Sequence, residues 1–208
     1  MPKTTYYGKR IPKEKFYSHL EVSATVKRSF VDDVDYFVWC HKLSKNTLNL
    51  AAGEKIKEIA IFDVYLKHEE CSRCIFDVID KNVAVYVVYV LHYGERVCIN
   101  VAHKEPTANN GFRVVERFES DWVDATEAQL RIEGLDLDKV FENFVRQVAG
   151  VVLQTTPSES LTQDIERQKQ HNKRMRQIAT LEAKRRNEKQ FNRQIELSAE
   201  IKKLKEQI

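Results

Sequence analysis

The chain has 208 residues, 42% of them hydrophobic and 31% charged, with a formal charge of +3; this leaves room for one sizeable core and excludes a large multi-domain enzyme. No apolar run approaches the roughly 20 residues of a membrane span, and Met1-Pro2-Lys3-Thr4-Thr5-Tyr6-Tyr7 has no apolar stretch behind its lysine, so the expectation is a cytoplasmic protein without membrane contact or secretory signal. Four scattered cysteines do not form a disulfide scaffold, and reduced thiols are expected.

In chain order, Pro12 opens a short helix over 13–20, since proline suits a first turn, and a second helix follows over 23–33. Val34-Asp35-Tyr36-Phe37-Val38-Trp39-Cys40 and the segment 56–67 are rich in β-branched and aromatic residues and read as strands. A short helix over 71–80 precedes a hairpin of 83–93 and 96–103 about Gly94-Glu95. The nearly all-apolar run 85–91 belongs in the middle of a sheet with helices packed on it. A further strand covers 112–122. Leu137, Val140, Phe141, Phe144, Val145, Val148 and Val151 recur at helical spacing, with Gly150 as a stop.

Composition changes at Thr155-Thr156-Pro157: residues 158–208 contain neither glycine nor proline and carry +5, leaving −2 for 1–157. Ser160 and Gln163 have the form of a capping box, and good helix formers dominate from there. One helix of about 48 residues would reach roughly 70 Å. Leu197, Ile201, Leu204 and Ile208 follow a 4-3-4 spacing and form a candidate partner-binding seam; upstream the phase drifts, against a long homodimeric coil. The expected class is α+β: a mixed sheet of about five strands packed by helices, then a long C-terminal helix with partial coiled-coil character. The domains are expected at 1–156 and 157–208.

No Gly-rich phosphate cradle and no Gly-x-Ser-x-Gly elbow occurs. His68, Cys71 and Cys74 invite a zinc reading, but a local fourth ligand is missing, so buried small apolar cysteines are the favoured account. Asp32, Asp33, Asp63 and Lys67 are the candidate set for a metal-dependent nuclease, which requires them to converge. Strand 56–67 reads Asp63-Val64-Tyr65-Leu66-Lys67 and matches acid-x-lysine poorly. Asp80-Lys81 sits where a helix hands over to a strand. The basic runs Lys173-Arg174, Lys184-Arg185-Arg186 and Lys202-Lys203 could neutralise phosphates, although interspersed glutamates also suit a solvated helix face.

Phe30-Val31-Asp32-Asp33-Val34, Trp39, Lys42-Leu43, Thr47-Leu48-Asn49, Ile79-Asp80-Lys81 and Glu119-Ser120-Asp121-Trp122 resemble, in order and spacing, a prokaryotic domain family of unknown function. Its genes often stand beside helicase, DNA-methyltransferase and restriction-subunit genes. Ala84 stands where that family tends to have proline. The resemblance implies a setting in restriction or defence against foreign DNA and carries over no catalytic residue. The expected function is a non-catalytic accessory or adaptor subunit binding a larger protein such as a helicase or DNA methyltransferase. The alternatives are the nuclease, or DNA binding through the basic tail; homo-oligomerisation through the C-terminal helix is a further candidate contact. No cofactor and no metal are expected. Trp39, Lys42, Asn49, Asp80 and Lys81 are the candidate functional surface of the body.

Overall fold

The computed structural model describes residues 1–20, 22–108, 111–150 and 161–205. The chain divides into two compact units, Met1–Gly150 and Val151–Ile208; the boundary expected at 156/157 lies outside the described residues.

In the first unit, strands β1 (Tyr6–Ile11), β2 (Val34–Ser44), β3 (Glu58–Leu66), β4 (Tyr86–Tyr93), β5 (Arg96–Pro106) and β6 (Phe112–Glu119) lie in that order in one sheet, and β7 (Val123–Asp124) pairs with β5. The helices are α1 (Glu14–His19), α2 (Ala24–Asp33), α3 (Lys45–Leu48), α4 (Cys74–Asn82) and α5 (Leu137–Ala149). Only β3 and β4 run parallel, because α4 carries the chain back between them; every other pairing is antiparallel. The class is therefore α+β with a mixed sheet. It has more strands than expected, since β1 is almost wholly exposed and shows no alternating pattern, and β7 spans two residues.

Local chemistry fixes the joints. Ser23 caps α2 by accepting the Val26 N–H. Beyond the last turn of α2, Lys13 Nζ donates to the Val34 carbonyl at 2.7 Å and Lys67 Nζ to that of Val31 at 2.7 Å, satisfying carbonyls a helix end leaves open. Gly94, at φ +59°, takes the first place of the two-residue β4–β5 turn, where a side chain would be strained. Gly150 ends α5 at φ +55°, as its sequence position suggested.

Side chains alternate across the sheet. On one face Phe37, Phe62, Val64, Val87, Tyr89 and Leu91 meet Phe30 of α2 and Ile75, Phe76 and Ile79 of α4. On the other, α5 contacts β3, β5 and β6, with Phe141 4.9 Å from the Tyr86 ring. Strand β4 is thus covered on both faces, as its apolar run required. A fully buried Phe or Ile contributes about 1.5–3 kcal/mol, and Phe30, Phe37, Phe76, Ile79 and Phe144 are all inaccessible.

In the second unit the long C-terminal helix is α6 (Leu161–Asn187), followed by α7 (Phe191–Lys205); Ser160 and Ile208 lie outside the described residues. A single unbroken helix over the whole tail does not form. At the break, Glu188 Oε1 accepts the N–H groups of Lys189 at 2.8 Å and Gln190 at 3.0 Å, supplying locally what helical carbonyls would otherwise provide. Helix α7 packs back on α6, with Arg185 donating to Ser198 Oγ and Lys205 3 Å or less from Glu182, at 2.9 Å. Ile201 lies on that same side of α7 and is buried, so this member of the expected seam is used within the chain.

Candidate functional site

Four neighbouring strands build a cavity of about 480 Å³ on the sheet face that α5 covers only in part. Cys40 and His41 come from β2, Ile61 and Asp63 from β3, Val90 and His92 from β4, and Val97 and Ile99 from β5. Register places them side by side: His41 opposite Ile61, Asp63 opposite Val90, and His92 opposite Val97. Consecutive strand residues normally point to opposite faces. The β2–β3 register shifts between Trp39 and His41, and such a bulge re-aims a side chain, so both Cys40 and His41 reach the cavity. The remaining wall is Met1 and segment 125–131. That segment is pinned at both ends: Ala125 N–H donates to the Glu95 carbonyl at 3.0 Å, and Gln147 of α5 exchanges two 2.8 Å bonds with the Arg131 backbone.

The protonation states follow from the partners. The Thr5 hydroxyl donates its proton to the Pro2 carbonyl at 2.7 Å, so at its 2.9 Å contact with His41 Nδ1 it accepts. Burial lowers the His41 pKa, and the neutral ring then carries its proton on Nδ1 and leaves Nε2 as an acceptor. The Cys40 thiol is pushed up to about 12, first by burial and then by the neighbouring Asp63 carboxylate; it stays protonated and is no nucleophile at neutral pH. His92 Nε2 lies 3.2 Å from Asp63 Oδ1, an ion pair when the imidazole is protonated, without a hydrogen bond between them. Behind it the rings stack across the sheet, Tyr65 on His92 at 4.7 Å and Tyr36 on Tyr65 at 4.4 Å, with Arg10 over Tyr36 at 4.0 Å. Among the described residues no three His, Cys, Asp or Glu side chains stand together as metal ligands. The cavity is equipped to bind, with an apolar floor and hydrogen-bond acceptors, more than to attack.

A second polar cluster is closed. Asp80 of α4 accepts from Arg117 Nη2 at 2.5 Å and from the Tyr89 hydroxyl at 3.3 Å. Arg117 also reaches Asp77 at 2.9 Å and Asn100 Oδ1 at 2.5 Å. Beside it the Lys104 ammonium donates to the carbonyls of Asp80, Val83 and Val85 at 3.0, 2.7 and 2.8 Å. Burial works against the Arg117 charge, but Asp80 outweighs it and holds the guanidinium pKa up. This network ties the end of α4 to β5 and β6 and holds the residues flanking Ala84.

The sequence-derived surface residues do not form one site. Trp39 packs on Tyr7 at 4.7 Å and donates to the His41 carbonyl at 2.9 Å, and Lys42 pairs with Glu58 at 2.6 Å. Asn49 sits at φ +52° after α3, a conformation asparagine tolerates. Asp80 is buried and Lys81 exposed. The nuclease set does not converge as a whole: Asp32, Asp33 and Lys67 lie at the end of α2, where the Lys67 N–H donates to the Asp33 carbonyl at 2.9 Å, and Asp63 stands apart. Asp32 is exposed beside Arg28 at 3.8 Å; Asp33 accepts the Ser72 N–H at 2.9 Å and meets His68 at 3.3 Å. Lys67 caps α2, and Asp63 lies four strand residues away, about 13 Å, facing the cavity. Of the zinc candidates, His68 is taken by Asp33, Cys74 Sγ lies 3.0 Å from Ser72 Oγ, and burial pushes the Cys71 thiol up to about 12. Leu197 and Leu204 are half-buried and flank Ile201 on α7. His92, which lies in the cavity beside Asp63, was not among the sequence-derived candidates. The one available signal was the same-face alternation Ile61, Asp63, Tyr65 on β3, which sets a carboxylate among apolar neighbours.

The model of a domain of unknown function, DUF4391, matches residues 1–208. This chain belongs to the DUF4391 family. No curated protein matches it, and no solved structure does. In this DUF4391 chain no described helix is long and apolar enough to cross a membrane.

Proposed function

We propose that this DUF4391 chain is an accessory subunit of a DNA-processing system of the restriction or anti-phage type, and that it docks a larger protein such as a helicase or DNA methyltransferase. The observation that supports this reading is the α6–α7 hairpin, a compact unit of its own. With Ile201 turned toward α6, the large apolar groups that stay exposed among the described residues of this unit are Met175 and Ile195, 48% and 53% exposed, set among cations. The genomic setting that the sequence resemblance implies names the class of partner. Tagged protein captured from its host at moderate salt, with and without nuclease, tests the reading. A stoichiometric helicase or methyltransferase that survives nuclease supports it, and a chain that comes alone counts against it.

A second reading, direct contact with DNA, is favoured by the basic last turns Lys184-Arg185-Arg186 of α6 and Lys202, Lys203 and Lys205 of α7. It requires an affinity that falls linearly with salt on logarithmic axes. The nuclease expectation is not carried forward, because it requires all four side chains to converge and Asp63 lies four strand residues, about 13 Å, from Lys67.

A further inference from the structure

We propose that the outer edge of β1 is a docking strand for an acidic, extended segment of another protein, which adds to the sheet beside Tyr6–Ile11. This goes beyond the docking reading, whose surface is the α6–α7 hairpin, and does not depend on it.

The backbone comes first. Strand β1 ends the sheet and pairs on one side alone, with β2. In an antiparallel ladder the N–H and C=O of one residue point to the same side, so every second residue of β1 turns both groups away from β2, and no backbone bond outside the sheet meets them among the described residues. The bulge at Gly8, φ +61°, leaves Lys9–Ile11 as the regular run of that edge, and Pro12 ends it, having no N–H to offer. Tyr6 through Arg10 are all exposed, so no described residue covers the edge.

The side chains then select the occupant. Lys9 and Arg10 are the only charges of the strand, Arg10 lying over the Tyr36 ring at 4.0 Å. Residues 1–16 hold five cations against one carboxylate, Glu14, and Glu14 and Asp35 act on Lys13, beyond the strand. A ladder between two copies of β1 would hold both cations twice and no carboxylate, and like charges opposite one another destabilise a strand pair. The charges that keep copies apart are matched by an acidic strand. Tyr6 and Tyr7, 66% and 46% exposed, alternate to the two faces and give the other side chains of such a strand amphipathic rings to pack on. A single-stranded nucleic acid fits less well: its phosphates accept from Lys9 but cannot donate to the open carbonyls, whereas a peptide backbone supplies both donor and acceptor.

The test uses the full-length chain and capped peptides of the length of β1: one alternating glutamate with valine, one alternating lysine with valine, and the glutamate peptide methylated at every backbone nitrogen. Backbone amide shifts locate the binding, and their titration gives the affinity. The glutamate peptide is expected to shift the amides of Tyr7, Lys9, Arg10 and Ile11 and to bind about tenfold more tightly than the lysine peptide. Methylation, which keeps the charge and removes the donors, is expected to weaken it about tenfold or more. Lys9→Glu is expected to weaken the glutamate peptide about fivefold and to strengthen the lysine peptide, with a melting curve matching the parent's to establish that the variant is folded. If it does not fold, the methylated peptide and the glutamate-to-lysine ratio on the parent chain decide. No localised shift at roughly 5 mM of the glutamate peptide overturns the docking strand. Undiminished binding of the methylated peptide overturns strand addition, equal binding of the lysine peptide overturns the assigned charge, and oligothymidylate that binds the same amides more tightly than the glutamate peptide overturns the class of partner.

Discussion

Replacing Lys104 by Met probes the buried network where its energetics are clearest. The Lys104 side chain is 2% exposed, and its ammonium donates to three carbonyls around the α4–β4 connection while lying 4.4 Å from the Phe112 ring. Methionine fills most of the stem volume but leaves those carbonyls without a donor. At about 1 kcal/mol or more for each buried unmet acceptor, the variant should lose ~3 kcal/mol at pH 7. Burial lowers the Lys104 pKa from 10.5 to about 8. Between those values the unfolded chain holds a proton that the native one has lost, so native stability rises with pH across this window and gains nothing below pH 8. The interval corresponds to ~3 kcal/mol. The difference between parent and Lys104→Met, measured by urea unfolding from pH 7 to pH 10.5, should therefore widen by up to that amount. Subtracting the variant removes every other titrating group. A difference that stays flat or narrows would refute the assignment of Lys104 as a buried, burial-depressed ammonium.

Arg117→Met strands the Asp80 carboxylate in the core and should cost about 3–5 kcal/mol; the double variant Asp80→Asn/Arg117→Met should recover a large part of it in the same unfolding assay. Cys40 and Cys71, both held near pKa 12, should alkylate with iodoacetamide at pH 7.5 at least a hundredfold more slowly in the native protein than after unfolding, and equal rates would contradict their environment. Ile201→Asp places a charge on the α6-facing side of α7; the hairpin should lose helical circular dichroism while amide shifts in Met1–Gly150 stay unchanged, and a global collapse would show that the two units do not fold separately.

Legibility followed the strength of local signals. The helices over 14–19, 24–33 and 137–149 and the β4–β5 hairpin were readable because caps, apolar periodicity and a turn glycine agree. The central place of β4 followed from its apolar run. Edge strand β1 was not readable, since Tyr6 to Arg10 face solvent and carry no alternation, and only pairing with β2 makes them a strand. The break at 188–190 was hidden because Glu188, Lys189 and Gln190 are all good helix formers; hydrogen bonds to the Glu188 side chain and packing of α7 on α6 override propensity there. The cavity was least legible. It depends on a bulge at Cys40 and on register across four strands, which join residues more than 50 positions apart, such as Cys40 and His92. Spacing along the chain instead suggested grouping Asp33 with Asp63, although Asp33 turns toward Ser72 at the start of α4.

The most direct test of the docking account is to capture the parent chain and a Met175→Asp/Ile195→Asp variant from the same host after nuclease treatment, and to compare the stoichiometry of what each retains. The account predicts a helicase or methyltransferase at one copy per parent chain and its loss from the variant, with the body's amide shifts intact in both. Equal retention by the two would remove the hairpin surface from the account, and a parent chain without any such partner would contradict the account itself.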